Sequence, residues 1–199
     1  MTRLWIPIRM TIVLTVLTGI VYPLAIAGLG QLLFPFQANG SIIYRNGRPV
    51  GSALIGQNFS APDYFHPRPS RAGDKGYDAA DSAASNLGPT NKAQIDAVRI
   101  RLNAILESTP GVSARQVPMD MVTASASGLD PDISPADAEL QIARVAKTRG
   151  MTEQSVAALV GAHERGRWAG LFGEPRINVL ELNLALDAAA PARHASFKQ

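Results

Sequence analysis

The apolar positions of this chain fall into one long block followed by many short periodic runs. Met10 to Leu33 reads MTIVLTVLTGIVYPLAIAGLGQLL, and no charged residue occurs between Arg9 and Arg45. As a helix rising ~1.5 Å per residue, this block spans roughly 36 Å, enough to cross a ~30 Å hydrocarbon core with some tilt. Pro23 predicts a kink, and the carbonyl it frees needs another partner. Trp5 at one end and Phe34-Pro35-Phe36 at the other sit where interface anchors would. Ala25-Ile26-Ala27 has the pattern of a signal-peptidase site, but the apolar run continues to Phe34. That is longer than the ~7–15 residues of a signal h-region, so an uncleaved single-pass anchor is expected.

From about Asn39 the periods shorten. Ser41 to Arg45 and Arg48 to Leu54 predict two strands joined by Asn46-Gly47, the strongest short hairpin signal. Pro49 then belongs on an edge or at a strand start. Residues 56–91, rich in Gly, Pro, Ser, Asn and Asp, predict long loops, which Tyr64, Phe65 and Tyr77 would order. A helix is predicted over Asn91 to Glu107, where Ile95, Val98, Leu102 and Ile105 keep helical spacing, and Pro110-Gly111 stops it. A second should start at Ser134, with Pro135 first and Asp137 three residues after the cap, and run to Arg149 before Gly150. A third starts at Thr152, carries Val156, Leu159 and Val160 on one face, and ends near Gly166. Over Asn178 to Leu186 the leucines alternate like a strand, yet Asn178 with Glu181 makes a helix cap, and helix is the choice.

The expected architecture is α+β: a cytoplasmic N-terminus (1–9), a transmembrane helix (10–33), one extracytoplasmic domain (39–187) with a hairpin, long loops and several helices, and a mobile tail (188–199). Arg3 and Arg9 before the charge-free block place the N-terminus in the cytoplasm and export the body. Within the block, Thr11, Thr15, Gly19, Pro23 and Ala27 recur at every fourth residue. Small residues on one face let another helix approach closely, so Thr11, Thr15, Gly19 and Ala27 are candidates for membrane-helix packing.

Composition narrows the chemistry. The 199 residues include no cysteine, which excludes disulfides, thiolate metal sites and cysteine nucleophiles. The net charge is +3. Arg3 and Arg9 supply two of those charges, so the body is near neutral and nucleic acid is not an expected partner. There is no P-loop, no G-x-S-x-G elbow and no S-x-x-K. Asp74-Lys75-Gly76 resembles the D-K-T-G-T loop of P-type ATPases but lacks its threonine, and is expected to be a turn. His66, His163 and His194 show no metal spacing. Asp130-Pro131-Asp132 opens like a calcium loop without its Gly and distal Glu; a turn before a helix, with Asp132 and Asp137 favouring the dipole, is expected. Gln57, Asn58, Asn86 and Asn91 either bind polar ligands or satisfy loop backbone. A hydrolase reading would need Ser125 or Ser127 with His66 or His163 as base, and a solute-binding module is a further possibility.

Five stretches then point one way together. They are Gly51 to Phe59 (GSALIGQNF), Tyr64 to Ser70 (YFHPRPS), Ser85 to Asn91 (SNLGPTN), Val122 to Pro131 (VTASASGLDP) and Gly173 to Asn183 (GEPRINVLELN). In this order they resemble the C subunit of Kdp-type potassium-transporting ATPases. Ala83-Ala84 replace glycines frequent in that family, and Asp132 stands where it often has His. The resemblance implies a non-hydrolytic accessory subunit of an inner-membrane K⁺ importer. Its partners would be a channel-like K⁺-translocating subunit, a P-type ATPase subunit and membrane lipid. Its role would be in assembly and as a catalytic chaperone raising ATP affinity, with ATP reached only through the ATPase subunit and no metal or prosthetic group. The motif residues it implies as structural or as subunit contacts are Gly56, Gln57, Arg68, Asn86, Asn91, Ser127, Asp130, Glu174 and Asn178.

Overall fold

A computed structural model describes residues 2–190. The chain divides into two compact units, with the boundary between Ser52 and Ala53.

In the first unit a continuous apolar helix runs from α1 (Thr2–Val16) through a π-helical turn (Leu17–Val21) into α2 (Tyr22–Leu33). The stretch Leu4–Leu33 is 30 residues long with mean hydropathy 2.2, enough to cross a membrane, and none of its most apolar window is buried by the rest of the chain. The π turn has a sequence cause. Pro23 has no N–H to offer the carbonyl four residues earlier, so the ladder changes register and Tyr22 N–H bonds Leu17 C=O. Thr18 Oγ1 also donates to Leu14 C=O at 2.7 Å, a back-bond that bends helices. The distortion expected at Pro23 therefore lies one turn before it. A short α3 (Pro35–Ala38) leads to the hairpin of β1 (Ile42–Arg45) and β2 (Arg48–Ser52). Asn46 and Gly47 both have positive φ, 52° and 75°, as a type I′ turn requires. Tyr44 pairs Pro49 and Ile43 pairs Gly51, so a bulge interrupts the ladder and β2 stops at Ser52, two residues short of the expected end.

In the second unit no helix or strand forms between Ala53 and Asn91. Asn91 caps α4 (Lys92–Ser108), its side chain accepting from Ala93 N–H at 2.9 Å. A 3₁₀ turn (Ala114–Gln116) and α5 (Met119–Val122) follow. Then come β3 (Asp132–Ile133), α6 (Pro135–Arg149), α7 (Glu153–His163), β4 (Glu164–Arg165), β5 (Arg176–Asn178) and α8 (Val179–Ala189). Ser134 caps α6 and Gly150 closes it in the left-handed conformation at φ 70°. The helix choice over 178–186 holds: Asn178 accepts from Glu181 N–H at 3.1 Å and caps α8. The remainder of the tail, from residue 191, lies outside the described residues.

Two elements differ from expectation for one reason. β5 is the centre of a three-stranded antiparallel sheet ordered β3-β5-β4. Glu164 and Arg165 pair with Ile177 and Arg176, so α7 ends at His163 rather than near Gly166. Strands of two or three residues carry no readable alternation. The core is Phe65, Ile133, Val145, Val156, Ile177, Val179, Leu182 and Leu186, which joins the long loop to the sheet and to α6, α7 and α8.

Candidate functional site

The long loop is held by side chains standing in for a partner strand. Phe65 N–H donates to Asn183 Oδ1 at 2.8 Å, and Asn183 Nδ2 donates back to Phe65 C=O at 3.0 Å. Gln141 treats the next residue the same way, at 2.7 Å from His66 N–H and 3.0 Å to His66 C=O. Both amides come from helices, Asn183 from α8 and Gln141 from α6. From α6, Arg144 donates to Pro62 and Tyr64 carbonyls, and Thr148 to Pro62 C=O. Arg149 donates from Nε to Asp63 C=O at 2.6 Å and from Nη1 to Ala190 C=O at 2.7 Å. It ion-pairs Asp187 at 2.9 Å and covers the Tyr64 ring at 4.7 Å. The Arg149 side chain is wholly buried, so this pair is desolvated and its hydrogen bonds are what make it tolerable.

A second layer fixes the loop's far end. Ser70 Oγ donates to Gly128 C=O at 2.6 Å and accepts from Ala72 and Tyr77 N–H. Tyr77 O–H donates to Arg68 C=O. Gly128 sits at φ +68°, and a Cβ there would lie 2.7 Å from both Ala72 N and Ala83 O. Gly56 N–H donates to Leu129 C=O at 2.7 Å, and a Cβ at Gly56 would lie 2.5 Å from Asp130 C=O. Both glycines are required by close backbone approach.

Beside this layer lies an open cleft of about 470 Å³ lined by Arg68, Asp120, Asp130, Asp132, Glu174 and Arg176 among others. Its charges are paired with one another or with backbone. Arg68 meets Asp130 at 2.8 Å, and Asp130 Oδ1 accepts from Asp132 N–H at 3.1 Å. Arg176 meets Asp132 at 3.0 Å. Asp120 accepts from Ser134 N–H and Oγ. Asp132 is therefore a sheet residue in an ion pair rather than a helix-dipole charge, and burial raises its pKa. Among the described residues no three or more of His, Asp or Glu are placed to hold a metal ion.

A smaller cleft, about 270 Å³, is lined by His66, Asp137, Gln141 and Arg144. Asp137 lies in the first turn of α6, as its place three residues after the cap predicts, and is 1% exposed. Its N–H meets Ser134 Oγ at 3.1 Å and its Oδ1 accepts from Gln141 Nε2 at 2.6 Å. Burial pushes its carboxyl up to about 7, against the Gln141 hydrogen bond. Burial and the Arg144 charge push the His66 imidazole down to about 4. His66 Nε2 lies 3.0 Å from Ala61 C=O, and His163 Nδ1 lies 2.8 Å from Leu159 C=O. Ser127 Oγ accepts from Leu129 N–H. Among the described residues neither histidine bonds a serine, so the hydrolase reading has no nucleophile–base pair.

The nine motif residues thus separate. Gly56, Arg68, Ser127, Asp130 and Asn178 belong to the loop layers, and Gln57 follows Gly56 in the long loop; Asn178 Nδ2 reaches Ala53 C=O at 2.9 Å. Glu174 is at the cleft rim, ion-paired to Arg167 at 2.7 Å. Asn91 is a helix cap, and Asn86 is an exposed loop residue at φ 52°, which asparagine tolerates. Unmarked by sequence reasoning were Asn183, Gln141, Arg149 and Asp187. The available signal was a polar residue at a position that helical period assigns to the core: Asn183 between Val179 and Leu186, Gln141 before Val145.

The π turn changes the membrane helix's face. Four steps of four residues drift about 160° around a regular α-helix. One extra residue absorbed in the π turn removes about 100° of that, leaving Thr11 to Ala27 within about 60°. A Cβ at Gly19 would meet nothing in this chain.

An apolar helix long enough to span a membrane, joined to an α+β body whose buried polar groups order its own loops, defines a membrane-anchored type of architecture. The model of the family "K+-transporting ATPase, c chain" matches residues 4–188. The potassium-transporting ATPase KdpC subunit of Koribacter versatilis (strain Ellin345) is 53% identical over 184 residues, covering 92% of this chain and 93% of its own. The KdpC subunits of Polaromonas naphthalenivorans (strain CJ2) and Rhodospirillum rubrum are each 56% identical, over 90% and 91% of this chain and 91% and 93% of theirs. The chain belongs to the family of C subunits of K⁺-transporting ATPases.

Proposed function

We propose that this subunit is a non-hydrolytic assembly and coupling component of a high-affinity K⁺ importer. Its partners are a channel-like K⁺-translocating subunit and a P-type ATPase subunit. The observation that carries this reading is that, in the cleft of about 470 Å³, Arg68 is ion-paired to Asp130, Arg176 to Asp132 and Glu174 to Arg167, while Asp120 accepts from Ser134. Phosphoryl transfer needs a group to take the phosphoryl or to orient the attacking water, and the carboxylates of that cleft are engaged in structural contacts instead. Asp74, in the weak D-K-G likeness, sits in the exposed turn after Gly73.

Residues 10–33 of the apolar helix span the inner membrane with Arg9 on the cytoplasmic side, and the body lies outside. ATP is then held by the ATPase subunit on the other face. A rise in its ATP affinity is a coupling across the membrane, carried by this helix against its neighbours. The test is co-purification from membranes with the chain present and deleted. Without it the channel-like and ATPase subunits should no longer be recovered together; their undiminished association would overturn the assembly role. A reporter fused after Phe197 should work only if it is of the type active outside the cytoplasm.

A further inference from the structure

The connection between β4 and β5 carries an unusual surface. Trp168, Leu171 and Phe172 are 74%, 76% and 63% exposed, while the other exposed large apolar residues of this unit are scattered. The three are held in a tight turn. Trp168 N–H donates to Phe172 C=O at 2.8 Å, and Phe172 N–H to Trp168 C=O at 3.0 Å. The two rings meet at 5.8 Å between centroids. Ala169 and Gly170 supply the positive φ values, 52° and 75°, that reverse the chain. An exposed aromatic cluster rimmed by polar residues marks an interaction site, and a pre-formed one loses little entropy on docking.

From this geometry we infer that the Trp168–Phe172 turn seats in an uncharged, apolar pocket on a membrane-embedded partner subunit of the same complex. The inference rests on the subunit reading above. Three observations select this occupant. The neighbouring arginines are already neutralised: Arg165 by Glu181 at 2.5 Å, Arg167 by Glu174 at 2.7 Å, Arg176 by Asp132 at 3.0 Å. Among the described residues, these neighbouring arginines leave no free cationic rim to meet anionic lipid headgroups, which interfacial segments depend on. Three side chains fall far short of the ~800 Å² per partner that a free-standing dimer needs, so a second copy is a poor match. They do suit a hot spot, where a central Trp carries most of the energy inside a larger contact. The apolar helix Leu4–Leu33 already holds the chain in the same membrane, so this small contact forms at high effective concentration.

The experiment places a photoreactive benzophenone side chain at Leu171 of the full chain, with the complex assembled in its membrane. The expected result is an adduct with one membrane-embedded partner subunit. Adding Trp168→Ala should lower that adduct at least about tenfold. Thermal unfolding of the variant should stay near wild type, because the ring is exposed. Adducts only with lipid, only with another copy of this chain, or with nothing, in a complex that still co-purifies, overturn the inference and leave the subunit reading standing. Failure of the unlabelled chain to co-purify with any partner overturns both.

Discussion

Asn183 and Phe65 lie 118 residues apart and form a closed pair of hydrogen bonds, amide side chain to main chain, at 2.8 and 3.0 Å with both residues wholly buried. The pairing supplies what a β-ladder would, in a loop that has no neighbouring strand. Replacing the amide leaves a buried N–H and a buried C=O without partners. Asn183→Leu should therefore destabilise the body by roughly 2–5 kcal/mol, despite its good volume match. Thermal unfolding of the full chain in detergent measures this. A variant within about 0.5 kcal/mol of wild type would show that the loop has another anchor.

Close backbone approach predicts a contrast between two glycines. Gly128→Ala must place a Cβ 2.7 Å from Ala72 N and Ala83 O at φ +68°, whereas a Cβ at Gly88 meets nothing. The first should cost roughly 2–4 kcal/mol from the left-handed conformation plus overpacking. Gly88→Ala should change stability by less than ~0.5 kcal/mol. Denaturant midpoints separate the two, and equal midpoints would refute the close-approach account of Gly128.

These two cases show what the sequence displays and what it hides. The membrane helix, the Asn46-Gly47 hairpin and the capped helices α4, α6, α7 and α8 are legible, because a period and a cap residue mark each. The sheet is not, because Asp132–Ile133, Glu164–Arg165 and Arg176–Asn178 are too short for alternation and are defined only by pairing with one another. Arg68 and Asp130 stand out by motif, but their 2.8 Å ion pair spans 62 residues and no local pattern predicts it. Asp137 is readable as a cap-box residue, and its burial depends on α6 packing over the loop.

Asp137 also gives a pH signature. Its pKa is raised from 3.8 to about 7 in the folded protein, so the fold favours the protonated form. Between pH ~4 and ~7 the unfolded chain has released this proton while the folded one keeps it. The contribution to stability therefore falls as pH rises through that window, by up to about 1.4 kcal/mol per pH unit. His66, lowered to about 4, acts oppositely: its contribution is lost as pH falls below 6.5. Asp137→Asn keeps the oxygen that accepts from Gln141 and removes the ionisation. The variant should gain stability relative to wild type between pH 5 and pH 8, read as the difference in unfolding midpoints. A difference independent of pH would mean that Asp137 titrates normally.

On the membrane helix, the π turn keeps Thr11, Thr15, Gly19 and Ala27 near one face, and Gly19 has open space around it. Gly19→Leu should lower recovery of partner subunits in detergent roughly five- to tenfold by blocking close helix approach. Leu14→Phe, off that face, should matter less. Equal recovery of both variants would make the stripe ordinary membrane composition.

The most direct measurement is K⁺-stimulated ATP hydrolysis by the purified complex, with this subunit present, omitted, or carrying Asp74→Asn, beside the isolated chain. Hydrolysis should be absent in the isolated chain, unchanged by Asp74→Asn in an assembled complex, and lost on omission. ATP hydrolysis by the chain alone, or full K⁺-stimulated activity without it, would contradict its role as a non-hydrolytic subunit that the pump requires.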